Sequence, residues 1–322
     1  MVLSLNNVTI NHQSGKSIVK GLDLKINEGE IMAIIGESGS GKSVTAFSIF
    51  DLLPKQLFIA DGHILFRGQK LSDLSQREKR KLRGKEMAFI FQDYTGSLSP
   101  FRTVGSQMME MARVHTTWSK KEIKQKVMDA LLNVQLNPNK TFRSYSFQLS
   151  GGQRQRIAIA QAMLLKPSLI IADEITTALD PMTTKHVQQL LLTLKKETDC
   201  AIIYITHDLG SIEHFADKVA VMYGGQLMEQ GETDRIFVHA SHPYTKLLMQ
   251  AKPPIEEVPS YLETVPGEPG KRSETGCPFS LRCSHAVDSC MTEDLKKRTI
   301  DENHDVYCHV VKEQKKKKTV FV

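Results

Sequence analysis

Two short runs carry side chains whose type and spacing suit phosphate chemistry: Gly36-Glu37-Ser38-Gly39-Ser40-Gly41-Lys42-Ser43 and Leu149-Ser150-Gly151-Gly152-Gln153. In the first, the glycines at 36, 39 and 41 let consecutive backbone N–H groups converge on phosphate oxygens without a Cβ in the way. Lys42 is spaced to reach the β- and γ-phosphates and Ser43 to ligate Mg²⁺. A helix expected over Val44 to Leu53 turns its positive end toward the anion. The spacing is GxxxxGK[ST], and the apolar run Ile31 to Ile35 before it supplies the strand that such a loop requires.

A metal carboxylate should sit on a second strand. Leu169-Ile170-Ile171-Ala172 reads as a buried parallel strand ending in Asp173 and Glu174. Asp173 is placed to hold Mg²⁺ through water, and Glu174 to orient and polarise the attacking water. A further β-rich run, Ala201 to Ile205, is closed by Thr206-His207-Asp208, which makes His207 a candidate γ-phosphate contact at the carboxyl end of a strand. Gln92, after the strand-like Met87 to Ile90, offers an amide to the metal or the water.

The elements that must position these groups are legible around them. Residues 1 to 30 and 61 to 71 alternate like half-buried strands and suggest an antiparallel layer beside a parallel core. From Tyr94 to about Leu149 strand character is missing. One helix is clear there: Ser119 and Glu122 form a capping box, and Ile123, Val127, Leu131 and Val134 recur on one face. Ser150 starts a helix running to about Leu165, and Asp180-Pro181 starts another through about Lys196. Lys218 to Gly231, centred on Gly224-Gly225, reads as a hairpin.

The chain resembles the nucleotide-binding subunits of ABC transporters. Walker A (Gly36 to Ser43), Q-loop (Gln92), signature (Leu149 to Gln153), Walker B (Leu169 to Glu174), D-loop (Ala178-Leu179-Asp180) and switch histidine (His207) occur in the order of that family. The resemblance implies an α/β fold: a P-loop NTPase (RecA-like) core with an antiparallel β subdomain, an inserted helical subdomain over about 94–165, and a small C-terminal extension. It divides the chain into a cassette over 1–235 and an extension over 236–322. It also implies two cassettes packed head to tail, with ATP on one Walker A covered by Ser150, Gly151, Gly152 and Gln153 of the other. Hydrolysis then needs a dimer, because part of the electrostatic stabilisation arrives in trans.

Beyond His242-Pro243-Tyr244 the chain passes a Pro-rich linker and enters a module holding Cys277, Cys283, Cys290 and Cys308. This tail, with HPYT, PGEPG and GCPF, is similar to that of the longer ATPase subunits in the oligopeptide, dipeptide and nickel importer branch, some of which hold an iron–sulfur cluster on four cysteines. Five, six and seventeen residues separate the cysteines, unlike the close pairs of structural zinc sites. Four thiolates suffice for a [4Fe–4S] cluster. Free thiols, or zinc with His304 or His309 as substitutes, are the alternatives; disulfides are disfavoured in a reducing compartment. Cys200 is expected to be an inert core residue. The branch implies a second homologous ATPase, giving a heterodimer, two transmembrane permease subunits and an external substrate-binding protein.

Composition agrees with a sizeable folded enzyme: 322 residues, 40% hydrophobic and 24% charged. No apolar run approaches the roughly 20 residues that span a bilayer and no signal-peptide pattern opens the sequence. The expectation is therefore a peripheral protein on the cytoplasmic side of the cell membrane, held by its partners. The net charge of +6 is modest and partly gathered at Lys315 to Lys318, which reads as a solvated tail, so no nucleic-acid partner is expected. The rival functions are a nickel importer ATPase of the same branch and a nucleic-acid-associated ABC ATPase. The second commonly carries paired cassettes or long heptad coils, and neither is here. The departures from the family pattern are Ile10 and His12 where an adenine-stacking aromatic is usual, Ile175 after the glutamate, Ser146-Phe147 before the signature and Tyr94-Thr95-Gly96 after Gln92. Ile10 or His12 is expected to contact adenine in place of the aromatic.

Overall fold

A computed structural model describes residues 1–93, 95–176, 181–251, 265–268 and 270–311. Asp180, with Ala178 and Leu179, lies outside the described residues, as do Tyr94 and Lys315 to Lys318. In chain order the strands are β1 (Leu3–His12), β2 (Ser17–Ile26), β3 (Ile31–Ile35), β4 (Leu57–Phe66), β5 (Gln69–Lys70), β6 (Met87–Ile90), β7 (Leu169–Asp173), β8 (Ala201–Ile205), β9 (Lys218–Tyr223), β10 (Gln226–Glu232), β11 (Lys297–Asp301) and β12 (His304–Tyr307). They form a four-stranded sheet, β2-β1-β4-β5, and an eight-stranded one, β11-β12-β10-β9-β3-β8-β7-β6. The fold is the expected α/β one.

The five strands β9, β3, β8, β7 and β6 run parallel, and β3, β7 and β8 are buried along their whole length. Each apolar run therefore feeds two cores. Ile31, Ala33 and Ile35 of β3 enter the core shared with the helices, while Met32 and Ile34 pack toward the antiparallel sheet. The antiparallel layer expected from residues 1–30 and 61–71 is present, with β4 beginning four residues earlier, at Leu57. The hairpin expected at Lys218 to Gly231 is β9 and β10, antiparallel, turning at Gly224-Gly225.

The helical layer holds more than the single helix expected. Lys120–Asn133 does start at the Ser119/Glu122 box, with Ile123, Val127 and Leu131 buried on one side and Val134 buried just past its end. Val104–His115 and Pro138–Arg143 accompany it. The first was hidden because its buried positions, Val104, Gly105, Met108 and Ala112, include small residues that give little apolar signal. The second spans only six residues behind its Asn137 cap and N1 proline. Gly151–Met163 and Pro181–Thr198 match the two remaining helices within two residues.

Sequence composition changes after residue 236, yet the large sheet runs across that point. β12 pairs with β10 through Glu229↔Val306, Gln230↔Asp305 and Gly231↔His304, and Cys277, Phe279 and Cys290 belong to the core shared with the helices. The C-terminal segment is thus packed onto the edge of the parallel core.

Candidate active site

Because β3, β8, β7 and β6 are parallel neighbours, their carboxyl ends open on one edge of the sheet. That edge collects the loop after β3, Asp173 and Glu174 at the end of β7, His207 after β8 and Gln92 after β6. The chain thereby unites residues spread over more than 170 positions.

Within the loop, Gly36 has φ +148°, and a Cβ there would lie 2.1 Å from the carbonyl oxygen of Met222, so only glycine fits against β9. Gly41, at φ 96°, is the N-cap of the helix Lys42–Ile49. That helix stops short of the expected Leu53 because Asp51 turns left-handed at φ 53°. Lys42 is buried and bends back over the loop, its Nζ donating to the carbonyls of Gly36 (2.7 Å) and Glu37 (3.0 Å), with Ser40 Oγ at 3.4 Å. Burial lowers its pKa, opposed by the charges of Glu174, Asp173 and Glu37. Ser38 and Gly39 are exposed at the tip, Ser40 is buried, and Ser43 and Val44 are half-buried at the start of the helix.

Asp173 is buried, and burial raises its pKa, countered by a hydrogen bond from the Ser43 side chain. Its Oδ1 has no hydrogen-bond partner. A buried carboxylate oxygen without a partner is costly, and a divalent cation held by Ser43 and Asp173 would satisfy it. The residues present fit Mg²⁺.

Glu174 is held from three sides. Gln92 Nε2 donates to its Oε2 at 2.9 Å, His207 Nδ1 lies 3.6 Å from its Oε1, and its backbone N–H donates to the carbonyl of Ile205 at 2.9 Å. The residue adopts φ 49°, a strained backbone that turns the carboxylate away from the β7 line. Gln92, expected to serve metal or water, here orients Glu174.

The second run lies apart. Ser150 caps the helix Gly151–Met163 in a capping box: Gln153 N–H donates to Ser150 Oγ (3.3 Å) and Ser150 N–H to Gln153 Oε1 (3.0 Å). Gln153 so acquires a structural task that its place in the motif did not reveal. This helix packs on β6, three strands from β3, so within one chain residues 150–153 and the phosphate loop sit on different parts of the sheet.

Ile10 is fully buried in β1, so it does not contact adenine as expected; His12 is partly exposed, its Nδ1 paired with Ser14 Oγ at 2.8 Å. His304 is buried against Glu229, Nε2 to Oε1 2.6 Å, and His309 Nε2 meets the Glu293 carbonyl at 3.2 Å. Glu37 does not present its side chain to phosphate. Both carboxylate oxygens face Arg282 Nη1 (3.0 and 2.8 Å), and its backbone N–H donates to the hydroxyl of Tyr244 at 3.0 Å. Tyr244 and Arg282 stand in the quoted HPYT run and beside Cys283, but nothing local in either run points at Glu37. Cys200 is buried as expected, its thiol pushed up to about 12 by desolvation.

Residues 19–177 match the model of the family described as ABC transporter, and 228–290 that of the oligopeptide/dipeptide transporter C-terminal region. The oligopeptide transport ATP-binding protein of Salmonella typhimurium is 41% identical over 275 residues, 84% of this chain and 82% of that protein. The dipeptide transport ATP-binding protein of Bacillus subtilis is 38% identical over 314 residues, 95% and 94% of the two chains. Among solved structures, a dimeric ATP-binding cassette bound to ADP and Pi superposes with a TM-score of 0.65 at 29% identity, covering 72% of this chain and 98% of that one. A cassette of an ABC transporter complex from Clostridium perfringens gives 0.65 at 28%, covering 74% and 91%.

Proposed function

Since this chain belongs to the ABC transporter family of ATP-binding subunits, we propose that it hydrolyses ATP to energise import of oligopeptides or dipeptides across the cell membrane. The observation that carries the hydrolytic half is the Gln92–Glu174–His207 constellation beside the Ser43–Asp173 pair. The peptide half rests on the C-terminal match and on the relatives.

The division of labour follows from the geometry. Backbone N–H groups of residues 38–43 and the Lys42 ammonium bind the triphosphate, once Lys42 exchanges loop carbonyls for phosphate oxygens. Ser43 and Asp173, with Gln92 near by, would hold Mg²⁺, which supplies neutralisation of charge on the phosphates. Glu174 orients the attacking water, Gln92 keeps its carboxylate aimed, and His207, its side chain 60% exposed, is free to turn to the γ-phosphate. Ser150, Gly151, Gly152 and Gln153 serve a second, homologous ATPase. Residues 1–235 act as the cassette and 236–322 as the extension.

No helix of the described residues is long and apolar enough to cross a membrane. Attachment falls to two permease subunits on the cytoplasmic side, fed by an external binding protein. A groove of about 530 Å³ supports this docking. It is lined by Phe50, Phe89, Phe91, Met111, Ala158 and Ala162, between β6 and the helix that Ser150 caps. The test is uptake of labelled oligopeptide and labelled nickel, in parallel, in cells carrying wild type or Glu174→Gln at matched protein levels. Loss of peptide uptake alone is expected; unchanged peptide uptake would overturn the assignment.

The four extension cysteines are read as ligands of a [4Fe–4S] cluster. No group of three or more His, Cys, Asp or Glu side chains among the described residues is arranged so that it could hold a metal ion. What supports the reading is narrower. Cys277, Cys290 and Cys308 are buried, and Cys277, pushed up to about 12 chiefly by burial, is raised further by Cys308, Cys290 and Cys283. With Cys277 influenced by the other three, the extension gathers four cysteines near one another, the ligand set that a [4Fe–4S] cluster takes as thiolates. Protein reconstituted without oxygen is expected to hold about four irons per chain, falling in Cys277→Ser. Iron-free wild type with an unchanged thiol count would refute it.

A further inference from the structure

Arg282 lies in the cysteine-bearing segment, 245 residues from Glu37, yet its side chain is only 2% exposed and closes on the phosphate loop. Each of its three nitrogens has a partner. Nη1 reaches both Glu37 oxygens and the Tyr223 hydroxyl (3.0 Å), Nε the Pro266 carbonyl (2.6 Å) and Nη2 the Val265 carbonyl (3.2 Å). The guanidinium also lies 5.7 Å from the Tyr223 ring centroid and 5.8 Å from that of Phe279. Around it, Gly270 N–H donates to Glu37 Oε2 (3.3 Å) and Tyr244 Oη accepts the Glu37 N–H. The turn that presents Arg282 is closed by the backbones of two cysteines: Ser280 N–H donates to the Cys277 carbonyl and Cys283 N–H to that of Ser280.

The charge at Glu37 is the reason such a clasp matters. Its side chain is 17% exposed and close enough to Lys42 to act on that residue's ionisation. Left unpaired, this carboxylate would repel the triphosphate and compete for the ammonium meant to bind it. With both oxygens facing Arg282 Nη1, it is neutralised and the first turn of the loop is held in register with the extension.

We propose that Arg282 is a positioning residue for ATP binding: the C-terminal cysteine module neutralises Glu37 and sets the phosphate loop, so that nucleotide affinity depends on the module being docked. This inference rests on the reading of residues 36–43 as the ATP site. It extends the chain's active machinery into a segment whose sequence carries no nucleotide motif.

The test is ATP affinity and the KM-against-kcat split in full-length wild type, Arg282→Gln, Glu37→Gln and the double variant, with thermal unfolding and Cys283 labelling as controls for docking. Arg282→Gln should weaken ATP binding about tenfold, the size of one partly screened like-charge contact, with kcat at saturating ATP little changed. Glu37→Gln in that background should restore most of the affinity, because no charge is then left to neutralise. Unchanged affinity in Arg282→Gln overturns the proposal. So does a loss that Glu37→Gln does not rescue, which would mark Arg282 as packing only. Wild type that binds no ATP would instead refute the site reading itself.

Discussion

Glu174→Gln is expected to lower steady-state ATP hydrolysis by about 10²–10⁴-fold while ATP binding persists, the range a positioned general base contributes. The substitution keeps the shape of the side chain, and an amide at 174 can still accept from Gln92 Nε2, so the Gln92 contact survives. What disappears is the negative charge, and with it the ability to polarise water beside the γ-phosphate. His207 then loses its 3.6 Å ionic neighbour but keeps its place after β8. With phosphates bound and unbroken, residues 150–153 of a second subunit have no reason to leave, so an ATP-dependent dimer should accumulate. Phosphate release and size-exclusion chromatography with and without ATP check both halves. Hydrolysis retained near the wild-type rate would remove Glu174 from its role.

Lys42→Ala acts on binding rather than on the water. Nζ of Lys42 is the buried cation that balances Asp173, Glu174 and Glu37, and it already sits 2.7 and 3.0 Å from two loop carbonyls. Its removal leaves inward-facing carbonyls and the carboxylates of Asp173 and Glu174 around the space for the triphosphate, so a cradle that attracted anions becomes one that repels them. Losing one partner of a desolvated charge contact costs about 2–5 kcal/mol, roughly 30-fold to several-thousand-fold in affinity. ATP titration should show that loss, and hydrolysis should fall with it at every attainable ATP concentration. Wild-type affinity would refute the contact. Arginine is not expected to rescue, since its planar fork cannot follow the bent path of the lysine stem over the loop.

The two variants separate functions that the sheet edge brings together, and the separation explains which parts were readable in advance. β3, β7 and β8 were legible because strands covered on both faces appear as unbroken apolar runs. The helix starts at Ser119, with Glu122, and at Ser150 obey local hydrogen-bond chemistry, which leaves its mark within four residues. The helix Val104–His115 left a weaker mark, because small residues and methionine fill its buried face. Ile10 misled because its position along the chain says nothing of direction: β1 turns it inward, between Val19 and Ile59 of the flanking strands.

By itself the sequence determined the ATP chemistry, since phosphate cradles, metal carboxylates and helix caps are each made within a few consecutive residues whose types and spacing are the mechanism. Only the tertiary structure decided how those pieces are aimed. The parallel order β3-β8-β7-β6 brings Gln92 and His207 to the two oxygens of Glu174, and the antiparallel addition of β12 to β10 anchors the C-terminal segment, whose Arg282 closes on Glu37. Contacts between residues so far apart along the chain depend on how whole layers pack, and no local periodicity encodes them.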